Sequence, residues 1–340
     1  MSANMEPCLE IRSLSAVLPN GQRVLRSVSL TVQPGEVRAL VGESGAGKTM
    51  IGKALLGVLP KSVRIVEGEM LIEGEDLGRL DAKARRTLIG ARTALIPQDP
   101  LTALNPSRRI GPQMTDRLVR ILGWSGEKAD KRIRQLLHEV QIREPERVLK
   151  CYPHELSGGM RQRVLIAAAF AAEPRLIVAD EPVSALDVSV QAAVVTLLLD
   201  IQKTRHATML FISHDLALVR HVADKVVVMY LGKVMEKGTV EEIFGGATHP
   251  YTEALISAIR STKPEGAERK RITLTGDTPS PVDVPRGCRF ASRCHRKLGS
   301  ICDREPPPIR RMSATHEIAC HIPAEALESP RLADEASDRS

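Results

Sequence analysis

Apolar and polar positions alternate in two segments near the start of the chain. Residues 9–14 and 28–32 follow the period of two that is typical of half-buried strands. Three further segments, residues 37–41, 176–179 and 209–212, are short and almost continuously apolar. Runs of this length predict strands that are buried on both faces, as in parallel sheets.

Helical periodicity occurs between and upstream of these runs. Residues 188–203 show it between two of the apolar runs, and the charged residues 128–140 show it further upstream. Strands that alternate with helices predict an α/β fold with a mainly parallel sheet. We also expect an antiparallel β subdomain, and a helical subdomain over residues from about 99 to 165.

The composition changes near residue 262. The chain has 340 residues and exceeds the ~150 residues of an average domain, so we expect one large domain and an appendage. After residue 262 the sequence is rich in Pro, Arg and Cys and has little periodicity. We therefore predict a large domain over residues 1–262, a small separate Cys-rich appendage over residues 263–324, and a polar, mobile tail over residues 325–340.

Charge and aromatic content argue against a nucleic-acid-binding protein. The net charge of +7 is spread evenly, and one Trp, three Tyr and four Phe are too few for the stacking surfaces that bind nucleic acids. We also expect neither secretion nor a membrane span. The first residues lack an apolar segment, and the longest apolar run, residues 164–172, is far shorter than the ~20 residues that cross a bilayer.

A glycine-rich loop follows the apolar run 37–41. It matches the phosphate-loop pattern G-x-x-x-x-G-K-[S/T] at every position, and a helix can begin at its lysine. The glycines allow backbone N–H groups to surround a phosphate, the lysine reaches the β- and γ-phosphates, and the threonine hydroxyl binds Mg²⁺. The residues of this loop are Gly42, Glu43, Ser44, Gly45, Ala46, Gly47, Lys48 and Thr49.

Two acidic residues and a histidine follow later apolar runs. Asp180 and Glu181 end the run that begins at residue 176, and His214 lies just beyond the run 209–212. In a nucleotide site, Asp180 can hold Mg²⁺ and Glu181 can polarise an attacking water. At the same sheet edge, His214 would contact the γ-phosphate. These residues would fit many nucleotide hydrolases.

Residues 156–162, with the sequence LSGGMRQ, resemble the signature motif of ATP-binding cassette (ABC) proteins. At a helix start, Ser157, Gly158 and Gly159 offer a hydroxyl and free N–H groups to an anion. In ABC proteins this motif, which here includes Gln162, contacts the γ-phosphate bound to the other subunit. The resemblance therefore implies a head-to-tail dimer with two composite ATP sites. Because the motifs occur once here, the second set must come from another polypeptide.

Three further positions match the same family. Gln98 is similar to the family's Q-loop glutamine, which contacts Mg²⁺ and water and senses the transmembrane partner. Asp187 is similar to the aspartate of the D-loop, and His214 to the switch histidine. The resemblance implies that Glu181, His214 and Gln98 are catalytic, and that Thr49, Gln98 and Asp180 hold Mg²⁺.

The resemblance is greatest to the ATPases of oligopeptide, dipeptide and nickel uptake. It covers roughly residues 9–322 and includes residues 98–106, 152–159 and 249–252. One departure concerns the base of the nucleotide. Family members stack adenine on an aromatic ring near position 18, whereas this chain has Val17 and Leu18. We therefore expect an aliphatic contact with the base, weaker by about 1 kcal/mol than a ring stack.

Four of the six cysteines lie near the C-terminus: Cys288, Cys294, Cys302 and Cys320. Their spacing lacks a C-x₂₋₄-C pair, and by itself leaves zinc, an iron–sulfur cluster and plain thiols open. The subfamily resemblance implies a [4Fe–4S] cluster on these thiolates. We expect nucleotide binding to survive its loss, because the nucleotide motifs lie upstream.

Three arginines accompany the cysteines: Arg289, Arg293 and Arg296. They would offset the negative charge of a cluster or form a solvated basic loop.

The resemblance implies an ATP-hydrolysing subunit of an ABC importer for peptides or a similar small solute. Its partners would be a second ABC ATPase, two transmembrane permease subunits and an extracytoplasmic solute-binding protein, with no nucleic acid. Its place would be peripheral, at the cytoplasmic face of the inner or plasma membrane. The alternative is a soluble ABC ATPase acting on nucleic acid or ribosomes, which predicts tandem cassettes, a coiled-coil insertion or a basic patch. A purely regulatory subunit would lack Glu181, His214 or the signature motif.

Overall fold

The structure is a computed structural model, which describes residues 6–246, 248–259, 272–274, 276, 279 and 285–328. Its strands are β1 (Leu9–Val17), β2 (Arg23–Val32), β3 (Val37–Val41), β4 (Arg64–Ile72), β5 (Glu75–Asp76), β6 (Thr93–Ile96), β7 (Leu176–Asp180), β8 (Thr208–Ile212), β9 (Lys225–Tyr230), β10 (Lys233–Thr239), β11 (Ile309–Arg311) and β12 (Glu317–Ala319).

The helices of the same part of the chain are α1 (Lys48–Leu55), α2 (Ala82–Arg92), α3 (Pro100–Ala103), α4 (Ile110–Arg120), α5 (Gly126–Glu139), α6 (Pro145–Lys150), α7 (Gly158–Ala171), α8 (Val188–Arg205), α9 (Leu216–Val222), α10 (Val240–Gly245), α11 (Pro250–Ser257), α12 (Ile301–Arg304) and α13 (Ala324–Glu328). Single 3₁₀ turns add Pro153–Glu155 and Ala291–Arg293.

Two sheets organise the strands. The first is antiparallel with the order β2-β1-β4-β5, and the second has the order β11-β12-β10-β9-β3-β8-β7-β6. In the second sheet the five strands from β9 to β6 are parallel, and the three at the other edge are antiparallel. The predicted α/β fold with a mainly parallel sheet and an antiparallel β subdomain is confirmed.

Alternate residues of the parallel strands enter two hydrophobic cores, one on each face of the large sheet. In β8, Met209 and Phe211 join the core that contains α4, α5, α7 and α8. Leu210 and Ile212 join the core that contains α1 and the antiparallel sheet. Burial on both faces explains why these strands appear as continuous apolar runs in the sequence.

Helices α3 to α7 form the helical part of the chain predicted near residues 99–165. Helix α5 has a buried face that includes Ile133 and Leu137, and it packs against α4 and α7. Helix α7 is apolar on every side from Val164 onward, because it lies between the other helices and the sheet. Observed α5 and α8 lie within two residues of the predicted helical segments 128–140 and 188–203.

The C-terminal region joins the main domain more closely than its composition suggests. Strand β12 pairs with β10, so residues 309–319 extend the large sheet and are not a separate appendage. Phe290 is fully buried and belongs to the same core as α7 and α8. The boundary near residue 262 and most of the predicted tail lie outside the described residues. Residues 325–328, assigned to that tail, belong to α13, and Leu327 is buried.

Candidate nucleotide site

Four neighbouring parallel strands carry the candidate residues at their carboxyl ends. The glycine-rich loop follows β3, His214 lies two residues after β8, Asp180 ends β7, and Gln98 lies two residues after β6. Because these strands are parallel and adjacent, their carboxyl ends meet at one edge of the sheet. This is the edge at which ligands bind in open α/β sheets.

The glycine-rich loop is held in shape by its own lysine and by close packing. Lys48 is buried, and its Nζ donates to the carbonyl oxygens of Gly42 at 2.7 Å and Glu43 at 3.1 Å. A Cβ at Gly42 would lie 2.2 Å from the carbonyl oxygen of Met229, and the φ of 146° also favours glycine. Burial lowers the pKa of Lys48, and the nearby Glu181, Asp180 and Glu43 oppose that shift.

The first helix after the loop begins at a lysine and a threonine. Gly47, with a φ of 95°, precedes α1, and a Cβ there would lie 2.9 Å from Leu25 Cδ2. Thr49 is the second residue of α1, and its Oγ1 donates a hydrogen bond to Asp180 Oδ1 at 3.0 Å. Burial raises the pKa of Asp180 and is the largest of the effects on it, whereas the hydrogen bond from Thr49 lowers this pKa.

The Thr49 hydroxyl, the Asp180 carboxylate and the Gln98 amide supply oxygen donors, which Mg²⁺ prefers. A bound nucleotide would complete the magnesium site, because protein groups supply only a few of the ligands of Mg²⁺ and phosphate oxygens supply others. The residues present therefore fit the predicted magnesium ion.

Glu181 lies between Gln98 and His214. Gln98 Nε2 donates to Glu181 Oε2 at 2.9 Å, and His214 Nδ1 lies 3.1 Å from Glu181 Oε1. The backbone of Glu181 has a φ of 45°, a left-handed conformation that costs a non-glycine residue about 1–2 kcal/mol. Its N–H donates to the carbonyl oxygen of Ile212 in β8 at 2.9 Å. The neighbouring strand thus fixes an unfavourable conformation at the predicted general base.

A cavity of about 690 Å³ opens beside these residues. One wall is formed by residues 44–50 together with Gln98, Glu181 and His214, and another by the β1–β2 hairpin. The hairpin contributes Leu18 and Val24 as aliphatic surface, whereas Val17 is buried in β1 and does not line the cavity. The volume lies within the range of small-molecule sites.

The predicted signature residues do not line this cavity. Ser157 caps α7 by accepting a hydrogen bond from the Met160 N–H at 3.3 Å, and it is exposed together with Gly158. A Cβ at Gly159 would lie 3.0 Å from Val190 Cγ1, so the signature turn packs against the start of α8. Asp187 is exposed at that start and makes no cap hydrogen bond through its side chain.

Gln162 does not fit the predicted contact with nucleotide. It is fully buried on α7, on the same face as Ile166, and neither side-chain polar atom has a hydrogen-bond partner in the described part of the chain. Residues four apart lie on the same face of a helix, so Gly158 and Gln162 share a face of α7. Gly158 is exposed at the start of the helix, whereas packing around α7 buries Gln162 one turn later. We therefore remove Gln162 from the nucleotide-contacting residues.

The four C-terminal thiols are close enough to influence one another electrostatically. Burial raises the pKa of Cys288 to about 11 and of Cys294 to about 12, and the remaining thiols of the group, Cys302 and Cys320, contribute to both shifts. Cys288 N–H also donates to the Cys302 carbonyl at 2.7 Å. No three His, Cys, Asp or Glu side chains within the described ranges are grouped so as to hold a single metal ion.

The three arginines of this region have different surroundings, and none lies in a solvated loop. Arg293 contacts Glu43 of the phosphate loop, and Arg296 contacts Glu253 and the carbonyl oxygen of Ala326. Arg289 is half-buried near Cys288 and Arg26, and burial lowers its pKa to about 10. No sequence signal predicts the contact between Arg293 and Glu43, because 250 residues separate them.

Comparison with known proteins places the chain in a family. The ABC transporter family profile matches residues 25–184, and the profile of the oligopeptide/dipeptide transporter C-terminal region matches residues 235–302. The dipeptide transport ATP-binding protein DppD of Bacillus subtilis is 39% identical over 317 residues, covering 93% of this chain and 94% of DppD. The oligopeptide transport ATP-binding protein OppD of the same organism is 40% identical, covering 91% of this chain and 87% of OppD.

A solved structure with the same fold is CbiO1 from Clostridium perfringens, part of an ABC transporter complex. It has a TM-score of 0.63 and 25% sequence identity, and the match covers 71% of this chain and 91% of CbiO1. Within the described residues, no helix is both long and apolar enough to cross a membrane. The chain therefore belongs to the ABC transporter family, and within it to the ATP-binding proteins that carry the oligopeptide/dipeptide transporter C-terminal region.

Proposed function

We propose that this chain is the ATP-binding and ATP-hydrolysing subunit of an importer for dipeptides, oligopeptides or a similar small solute. The observation that carries the proposal is that Lys48, Thr49, Gln98 and Glu181 line one cavity, with Asp180 hydrogen-bonded to Thr49. The relatives of this chain are named dipeptide and oligopeptide transport ATP-binding proteins. Lys48 binds the β- and γ-phosphates, and Thr49, Gln98 and Asp180 hold Mg²⁺, which neutralises phosphate charge.

Glu181 is the proposed general base for hydrolysis. Its two carboxylate oxygens are positioned by Gln98 and His214, and the strained backbone is fixed by β8. A carboxylate held in this way accepts a proton from a water that attacks the γ-phosphate. His214 is 61% exposed at its side chain, which leaves it accessible to the γ-phosphate as well as to Glu181.

Exposure of the signature turn supports a second ABC ATPase subunit as a partner of this chain. Ser157, Gly158 and Asp187 are exposed and lie outside the cavity of their own chain, so they are available to ATP bound by a second ABC ATPase subunit. We further propose two transmembrane permease subunits and an extracytoplasmic solute-binding protein, which would place the chain peripherally at the cytoplasmic face of the membrane.

The dimer requirement predicts low ATPase activity for the isolated chain. Neither ATP site is complete without a second signature turn, so the rate per chain should rise with protein concentration and rise again with the membrane subunits. Copurification from membranes with a tagged chain, followed by ATPase assays over a dilution series, measures both effects. A constant rate per chain down to the monomeric range would exclude composite sites. Association with ribosomes or nucleic acid and no membrane subunits would favour the soluble alternative.

We also propose that Cys288, Cys294, Cys302 and Cys320 hold a [4Fe–4S] cluster. Four thiolates are the usual ligands of such a cluster. Cys302 and Cys320 lie near enough to Cys288 and Cys294 to contribute to the shifts of their pKa values. When bound, the cluster would crosslink the C-terminal segments.

Single Cys→Ser substitutions at these four positions should each remove the iron. Anaerobically purified wild-type protein should be brown and contain about four irons per chain. Cys8→Ser and Cys151→Ser are matched controls that should retain the iron, because these thiols lie elsewhere in the fold. Iron analysis and visible absorption measure the result. Stoichiometric zinc without iron, or neither metal, would contradict the cluster.

A further inference from the structure

Arg293 contacts the phosphate loop from the C-terminal cysteine segment, which is residues 288–320. Arg293 Nη1 donates to Glu43 Oε2 at 2.6 Å, and Arg293 Nη2 donates to Glu43 Oε1 at 3.1 Å. The side chain of Arg293 is 8% exposed and that of Glu43 is 27% exposed. Two parallel hydrogen bonds between charged groups in a largely water-excluded place form one of the stronger and more directional contacts in proteins.

Glu43 is also fixed at both of its backbone polar groups. Its N–H donates to Tyr251 Oη at 2.9 Å, and its carbonyl oxygen accepts the hydrogen bond from Lys48 Nζ. The carboxylate, the amide and the carbonyl of one residue therefore connect Arg293, Tyr251 and Lys48. Hydrogen bonds through Glu43 thus link Arg293 to Lys48 of the phosphate loop.

An aromatic cluster supports Arg293 from behind. The ring centroids of Tyr230 and Tyr251 lie 4.8 Å apart, and Phe290 lies 5.5 Å and 5.2 Å from them. Arg293 Nη1 also lies 3.3 Å from Tyr230 Oη. The chain has only seven Tyr and Phe residues, and three of them meet here, so this junction is the most aromatic part of a chain with few rings.

We propose that Arg293 is a positioning residue that sets the geometry of the phosphate loop and thereby couples the C-terminal cysteine segment to ATP affinity. The proposal rests on the proposed function only in taking ATP as the ligand. Arg293 lies next to Cys294 and in the same turn as Phe290, so rearrangement of the cysteine segment displaces the guanidinium. The proposal adds to the expectation that nucleotide binding survives loss of the cluster, because it predicts that the surviving affinity depends on Arg293.

Arg296 provides a matched control for this role. It lies three residues further along the same segment, its side chain is 13% exposed, and it pairs with Glu253 at 3.5 Å. It also donates to the carbonyl oxygen of Ala326, and none of these partners belongs to the phosphate loop. Loss of Arg296 therefore perturbs the stability of the same region without the connection to Lys48.

The test is a titration of the full-length chain with ATP and Mg²⁺, monitored by binding and by the nucleotide-induced rise in Tm. Arg293→Ala should weaken ATP binding about tenfold, a loss of about 1.4 kcal/mol. Arg293→Lys should lose less, because it keeps the charge but not the parallel pair of hydrogen bonds. Arg296→Ala should bind within twofold of wild type, although both alanine variants lower the Tm of the free protein.

A double-mutant cycle with Glu43→Gln separates the contact from general destabilisation. In a protein in which Arg293 or Glu43 is already substituted, substituting the other residue should weaken ATP binding by less than a further twofold. In the assembled transporter, Arg293→Lys should raise the KM for ATP while kcat stays within twofold, because Glu181, Gln98 and His214 are untouched. Unchanged ATP affinity in folded Arg293 variants, or additive losses in the cycle, would overturn the proposal. Failure of wild-type protein to bind ATP would instead reject the proposed function.

Discussion

Glu181→Gln should abolish most ATP hydrolysis and leave ATP binding intact. The amide is nearly isosteric and can keep hydrogen bonds with Gln98 and His214, but it cannot accept the proton of the attacking water. General-base catalysis contributes about 10²- to 10⁴-fold, so steady-state ATPase of the assembled complex should fall by that factor. In the proposed dimer, hydrolysis would separate the two ATPase subunits, so the variant should also accumulate as an ATP-bound dimer.

Glu127→Gln is the matched control for this substitution. Glu127 is exposed in the first turn of α5 and lies away from the cavity, so the same chemical change there should leave the ATPase rate unchanged. ATPase assays and size-exclusion chromatography with ATP measure the two effects. Near-normal turnover by the Glu181→Gln complex would show that another group acts as the base.

Lys48→Ala should fail at an earlier step, the binding of ATP. Each hydrogen bond between charged groups is worth about 1.5–3 kcal/mol, so loss of contacts to two phosphates predicts at least a 100-fold weaker affinity. The substitution also removes the hydrogen bonds that close the loop onto the carbonyls of Gly42 and Glu43. Equilibrium binding of ATP with Mg²⁺ measures the loss directly.

Lys61→Ala controls for the loss of one positive charge, because Lys61 is exposed and lies outside the cavity. It should bind ATP as wild type does. A folded Lys48→Ala protein, verified by its circular dichroism, that retains affinity within tenfold of wild type would exclude the proposed role of Lys48.

The parallel strands and the main helices could be predicted because their environment leaves a simple pattern. Strands β3, β7 and β8 are buried on both faces, so their sequences are continuously apolar. The convergence of the loop, Asp180, Glu181, Gln98 and His214 also followed from sequence and family resemblance, because all lie at strand ends. The hydrogen bonds that position Glu181 required the structure, since they join residues from three different strand ends.

The C-terminal region was harder to predict because its order comes from long-range contacts. Strands β11 and β12 have three residues each, too few for a recognisable alternation, and they are ordered by pairing with each other and with β10. The Arg293–Glu43 pair has the same character: neither residue has a local pattern that indicates the other. Gln162 shows the opposite error, since motif resemblance predicted a nucleotide contact for a side chain that the packing of α7 buries.

ATP-driven uptake of peptide by the reconstituted complex tests the central claim most directly. The complex that copurifies with this chain is placed in proteoliposomes, and a labelled dipeptide or tripeptide is supplied with the solute-binding protein on the side opposite to ATP. We predict uptake that requires ATP and Mg²⁺ and that Glu181→Gln reduces in proportion to its ATPase rate. ATP hydrolysis that proceeds without peptide accumulation, or uptake that persists undiminished in the Glu181→Gln complex, would contradict the claim that this chain powers peptide import.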